Sequence, residues 1–98
     1  MHLKDSLKYV KWIRTQPPIV RGSGRIEACH LKHTGLGGNR LKPNWRHFTC
    51  LPLPHDKHME LDNQLKVKGF NAKYGVDLWE MVYIYNQRFY EELDEISY

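Results

Sequence analysis

With 98 residues, the chain is too short for more than one domain or for a large buried core. Its 41% hydrophobic and 27% charged residues suit a globular protein, and no apolar run approaches the about 20 residues a membrane-spanning helix needs. Fifteen Lys and Arg against eleven Asp and Glu leave a net charge of +4, which favours an anionic partner. The charge is uneven. From Lys4 to Lys42 only Asp5 and Glu27 oppose the basic residues, whereas Glu91-Glu92-Leu93-Asp94-Glu95 is acidic. Met1-His2-Leu3-Lys4-Asp5 opens no signal-peptide hydrophobic stretch, so the expected location is cytoplasmic.

In chain order, Leu7, Val10, Trp12 and Ile13 recur at helical spacing and predict an amphipathic helix over about 4–15, ended by Pro17-Pro18. Arg25 to Leu31 reads as a strand after the turn Gly22-Ser23-Gly24. Lys32 to Arg46 holds Gly35, Gly37, Gly38, Asn39, Pro43 and Asn44, and is expected to be a long ordered loop. Phe48 to Leu53 is a second strand. Pro54 suits the first turn of a helix from His55 to about Lys66. A further helical turn, Gly69 to Tyr74, closes at Gly75, and Asp77 with Glu80 has the capping-box spacing for a last helix over about 77–94. That helix carries Leu78, Val82, Tyr85, Phe89 and Leu93 on one side. The expected fold class is α+β: one domain over 1–98, built around a β-loop-β hairpin with flanking N-terminal and C-terminal helices.

Cys29 and Cys50 are the two cysteines, without a C-x-x-C, so neither a disulfide scaffold nor an all-cysteine zinc site is expected. Five of the six histidines fall between His30 and His58. His58 and Asp62 stand four apart on the expected helix and share a face. They are either solvated polar residues or a nitrogen and an oxygen ligand for Mg²⁺, Mn²⁺ or Zn²⁺. Cys29-His30 closes the first strand. It is either a buried thiol beside a half-exposed ring, or a site whose histidine takes a proton from water attacking a phosphodiester.

Taken together, a strand-end histidine, a long loop, a strand and a helix with His and Asp have the order of a ββα-metal finger. The run Glu27-Ala-Cys-His-Leu-Lys-His-Thr-Gly-Leu-Gly-Gly-Asn-Arg-Leu-Lys-Pro-Asn-Trp45 resembles the "A-H-H-(I/L)-R, T-G-x-G-G, K-P-D-W" of small phage and prophage HNH (His-Me finger) endonucleases. Phe48-Thr-Cys-Leu-Pro-Leu-Pro-His-Asp-Lys-His58 resembles their "W-T-V-P-L-C-x-x-H-H", and Lys68 to Trp79 their "F-x-x-K-Y-G-x-D-L". The likeness runs from about Tyr9 to Met81 and extends to the RecA-dependent recombination-enhancement nucleases.

The resemblance implies a finger core over about 25–67 and a metal-dependent endonuclease that hydrolyses DNA, active in recombination or DNA processing in the cytoplasm of a bacterial host. His30 matches the general base, His58 a catalytic-metal ligand and Asp62 a further helix ligand. Cys29 occupies a position where many relatives have a metal-binding histidine; as a soft ligand it favours Zn²⁺ over Mg²⁺. Thr49 stands near the asparagine of the HNH name. Relatives often hold a structural zinc through C-x-x-C and C-x-x-H; those positions here are Pro18, Arg21, Pro54 and Lys57, so no structural zinc is expected. Trp12, Phe48, Phe70, Tyr74, Trp79 and the last helix are expected to compensate by packing.

Other residues are assigned by position. Arg40, Lys42, Arg46 and His33 are candidate phosphate contacts in the loop. Glu27, alternating with Cys29, is a possible substitute ligand. His47 and His55 are expected to face solvent, and Trp45 to buttress the loop. The expected partner is DNA, with a recombinase filament as a further one and no membrane. The alternative function is a non-catalytic DNA-binding or recombination-accessory module that keeps the scaffold.

Overall fold

The computed structural model describes residues 2–31 and 41–97, so His33 and Arg40 lie outside the described residues. Helix α1 spans Ser6–Ile13 and follows a 3₁₀ turn at Leu3–Asp5. It is shorter than the expected 4–15. Both the N–H and Oγ1 of Thr15 turn back onto the Trp12 carbonyl, at 2.9 and 2.7 Å, and unwind the chain before Pro17. Its inner face is Tyr9, Val10 and Ile13.

Strand β1 (Ile26–His30) pairs antiparallel with β2 (Cys50–Pro54), placing Cys29 opposite Leu51 and His30 opposite Cys50. Prolines are unusual inside a strand because they cannot donate to the ladder. Here the Pro52 carbonyl points away from β1 and accepts from the Ile19 N–H at 3.2 Å, so Pro52 faces the open edge. The expected second strand at 48–53 is shifted: Trp45–Thr49 forms a 3₁₀ turn, closed by Thr49 Oγ1 donating to the Arg46 carbonyl at 2.7 Å, and the strand starts at Cys50.

The segment before β1 is fastened to the helix after β2. Asp56 Oδ1 accepts from the Ser23 N–H at 2.8 Å, and the Asp56 N–H donates to the Ser23 carbonyl at 3.2 Å. The Ser23 N–H, with help from Lys57, holds the Asp56 carboxyl below its ordinary range. Gly24, at φ +96°, makes this approach feasible, since a Cβ there would stand 2.9 Å from His55 Cβ.

The helix expected from His55 to Lys66 is built in two parts. Helix α2 spans His55–Glu60 and continues as a π-helical segment, Leu61–Leu65. Lys66 then takes a left-handed φ of 57°, and α3 runs Lys66–Tyr74. Lys73 Nζ and Tyr74 Oη both reach the Glu60 carboxylate and tie α3 to α2. Gly75 closes α3 in the left-handed region, at φ 64°. Asp77 caps α4 (Leu78–Ser97), its Oδ1 accepting from the Glu80 N–H at 3.2 Å.

The core gathers Tyr9 and Ile13 of α1, Leu51 and Leu53 of β2, Phe70 of α3, and Leu78, Val82, Tyr85 and Phe89 of α4. Phe48 and Phe70 are buried as the packing expectation required, but Trp79 is 46% exposed. Trp79 follows Leu78 by one position and so falls outside the inward stripe. The result is an α+β fold with a two-stranded antiparallel sheet, and no helix among the described residues is long and apolar enough to cross a membrane.

Tyr9 locks α1 to the hairpin. Its hydroxyl donates to the Cys50 carbonyl at 3.0 Å and accepts from Asn86 Nδ2 at 3.1 Å, and Asn86 also donates to the Phe48 carbonyl at 2.9 Å. Burial pushes the Tyr9 phenol well above its ordinary range, keeping it a neutral donor. Tyr9→Phe removes a buried donor-acceptor and is expected to cost about 1–3 kcal/mol, measured by urea unfolding.

Candidate metal centre

Residues two apart on a strand share a face, so β1 turns Glu27 and Cys29 to the same side. Against that side lie α2 and the π segment, which bring His58 and Asp62 down onto it. Cys29 Sγ, a ring nitrogen of His58 and a carboxylate oxygen of Asp62 lie within 4.8 Å of one another. Cys29 is fully buried, while the side chains of His58 and Asp62 are 18% and 27% exposed, so the cluster has a closed floor and an open mouth.

Each His58 nitrogen faces a carboxylate: Nδ1 lies 2.9 Å from Glu27 Oε1 and Nε2 lies 3.0 Å from Asp62 Oδ2. Sequence spacing left Glu27 as a substitute ligand; the structure makes it the partner of His58's outer nitrogen. It also receives His55 Nδ1 at 3.1 Å, so His55, although its side chain is 56% exposed, is not a bystander. Burial acts to raise the Glu27 pKa, but the bonds from His58 and His55 outweigh it, and the carboxyl sits below its ordinary range.

The donor set suits a divalent cation. An imidazole nitrogen and a carboxylate oxygen about 2.1 Å from one ion lie about 3 Å apart when at right angles. The Nε2–Oδ2 separation of 3.0 Å is that of a hydrogen-bonded His–Asp pair, and two ligands of one ion can take the same spacing. The Cys29 thiol is pushed far above its ordinary pKa, first by burial and then by the Asp62 and Glu27 carboxylates. Such a thiol stays neutral by itself; a coordinated cation reverses this by deprotonating it.

His30, at the end of β1, lines a cleft of about 590 Å³ together with His58, Asp62, Arg14, Arg46 and His47. Arg46 was among the expected phosphate contacts. Lys42 is exposed, and its backbone carbonyl accepts from the His47 ring at 3.0 Å. Arg14, just past α1, was not identified as a site residue from sequence; only the packing of α1 beside the hairpin turns it to the cleft. His47 is the larger correction. Expected to face solvent, it is 1% exposed and its Nδ1 lies 2.8 Å from His30 Nε2. Trp45, 44% exposed, has its ring 6.0 Å from that of Phe48.

Comparison with protein-family models, curated proteins and solved structures finds no match. The site therefore rests on its own geometry. A carboxylate behind a ligand histidine fixes the ring and raises its basicity, and loss of such a partner commonly weakens metal binding about 10–100-fold. Glu27→Gln is expected to weaken Mn²⁺ or Zn²⁺ binding by that factor in a calorimetric titration, with the fold retained by circular dichroism.

Proposed function

We propose that the protein is a metal-dependent endonuclease of the HNH (ββα-metal) type that hydrolyses DNA phosphodiester bonds. One observation carries this reading: His30 opens onto the same cleft as His58 and Asp62, with Arg14 and Arg46 on its walls. A base and an oxygen-nitrogen ligand pair supply the chemistry of metal-assisted phosphodiester hydrolysis, and two guanidinium groups can hold its phosphates.

His58 and Asp62 are the residues that would hold the divalent ion, with Cys29 beneath them. When bound, such an ion neutralises charge on the phosphate and its leaving oxygen. His30 accepts a proton from the attacking water at a ring nitrogen. Arg14 and Arg46 grip phosphate oxygens and set the strand's register without reading its sequence. The buried thiol adds a soft donor that favours Zn²⁺, while His58 and Asp62 alone provide for Mg²⁺ or Mn²⁺ with water ligands.

The test is incubation of supercoiled plasmid with the protein and Mg²⁺, Mn²⁺ or Zn²⁺. Nicking that disappears with chelator and with His30→Ala is the expected result. DNA binding without nicking, also in the presence of a recombinase filament, overturns the reading in favour of a non-catalytic DNA-binding module.

A further inference from the structure

We propose that His47 is a positioning residue for His30, holding its ring in the tautomer that presents Nδ1 as the basic nitrogen. This rests on the reading of His30 as general base, but the pairing itself is observable without any activity.

The inference starts from what surrounds His47. The ring is 1% exposed, its Nε2 is 3.0 Å from the Lys42 carbonyl, and its Nδ1 is 2.8 Å from His30 Nε2. A carbonyl oxygen only accepts, so the contact with Lys42 assigns the His47 proton to Nε2. Asn44 Nδ2, 3.0 Å from the same nitrogen, then donates to the Lys42 carbonyl instead, at 3.1 Å. With Nε2 protonated, Nδ1 of His47 is an acceptor, and the nitrogen facing it, His30 Nε2, must be the donor. The lone pair of a neutral His30 is thereby placed on Nδ1.

The support for His47 is itself built in. Asn44 is buried, its backbone N–H donates to Ser6 Oγ of α1 at 3.1 Å, and the His47 N–H returns to the Asn44 carbonyl at 3.3 Å. The 3₁₀ turn Trp45–Thr49 thus docks on the start of α1 and carries His47 to the end of β1. Burial pulls the His47 pKa down, outweighing the bond to Lys42, with Arg46 and Arg14 adding to the effect. A neutral His47 keeps its acceptor; a protonated one has none to offer His30.

The role differs from plain packing in what it does for His30. A proton taken at Nδ1 leaves an imidazolium whose Nε2–H still has an acceptor, so no bond is broken when the charge forms. Without His47 the Nε2–H loses this acceptor, and the ring loses the contact that fixes its orientation at the end of β1. Wrong-tautomer effects on a catalytic histidine reach about 10⁴-fold when the partner is an ionised carboxylate. His47→Leu enforces no wrong tautomer, so its cost is the loss of fixed ring orientation, and we expect about 10–100-fold from such misplacement.

The experiment combines tautomer-resolved NMR with kinetics on wild type, His47→Leu and His47→Gln. Long-range ¹H–¹⁵N correlation at about pH 8, where ordinary imidazoles are neutral, reports which nitrogen of each ring is protonated. Wild type is expected to show His30 and His47 both protonated at Nε2, with His30 reverting to a mixture in His47→Leu. In plasmid nicking, His47→Leu is expected to lose about 10–100-fold in kcat with KM within about twofold, and His47→Gln, whose amide oxygen accepts, to recover most of the loss. His30 protonated at Nδ1 in wild type, or unchanged kcat in a folded His47→Leu, overturns the proposal. Should wild type fail to nick DNA, the nuclease reading falls. The NMR result then decides the pairing: a His30 Nε2–H coupled across the hydrogen bond to His47 Nδ1 and lost as a bonded signal in His47→Leu supports it, and a His30 ring whose nitrogen shifts are unaltered in His47→Leu refutes it.

Discussion

Replacing His30 by Ala is expected to slow metal-dependent nicking about 10²–10⁴-fold, the range over which a positioned general base contributes. The loss is expected in kcat, because His30 is assigned no phosphate-binding role. Among the residues lining the cleft, the other imidazoles are committed: His58 faces Glu27 and Asp62, and His47 faces His30 and the Lys42 carbonyl. Neither is placed to take over the proton. The substitution also leaves His47 Nδ1 without its partner in a buried setting, which costs about 1–3 kcal/mol. A urea melt therefore has to accompany the kinetics. A folded His30→Ala protein that nicks at the wild-type rate contradicts the assignment.

His58→Ala is expected to have the larger effect on metal binding. It removes the single nitrogen donor of the Cys29, His58, Asp62 cluster and leaves Glu27 and Asp62 without the ring that separates them. Since loss of a partner behind a ligand weakens affinity about 10–100-fold, loss of the ligand itself is expected to cost about 100-fold or more. Nicking should become undetectable at metal concentrations that saturate wild type. Asp62→Asn is the companion variant: it keeps size and a neutral oxygen donor but removes the charge, and is expected to retain weak binding. DNA affinity measured with chelator present should change little in either variant, because Arg14 and Arg46 are untouched. A fall in DNA binding equal to the fall in metal binding points instead to a collapsed cleft.

Much of the frame was legible in the sequence because its signals are local. Pro54 before α2, Gly75 after α3 and Asp77 before α4 act through their own backbone geometry, and each stands where its chemistry placed it. Helical spacing put His58 and Asp62 on one face and strand alternation put Glu27 and Cys29 on another, but bringing Cys29 to the His58-Asp62 pair rested on the resemblance to the ββα-metal finger. What was not legible depends on packing. His47 is held by a turn whose Asn44 contacts Ser6, far away in sequence, and no local pattern foretells that. Arg14 lies just past the last turn of α1 and reaches the cleft only because Tyr9 fixes the helix on the Cys50 carbonyl. The π segment at Leu61–Leu65 left no mark in composition, yet it carries Asp62, and widened turns of this kind are frequent at functional sites. Trp79 was counted among the packing aromatics although the stripe Leu78, Val82, Tyr85 and Phe89 already left it off the inward face of α4.

The most direct test is a crystal structure grown with Mn²⁺ or Zn²⁺, with the ion located by its anomalous scattering. The ion is predicted on His58 Nε2 and the Asp62 carboxylate, with Glu27 on His58 Nδ1 and His30 across the same cleft. An ion bound elsewhere, or none at saturating metal with His58 still spanning Glu27 and Asp62, contradicts the account.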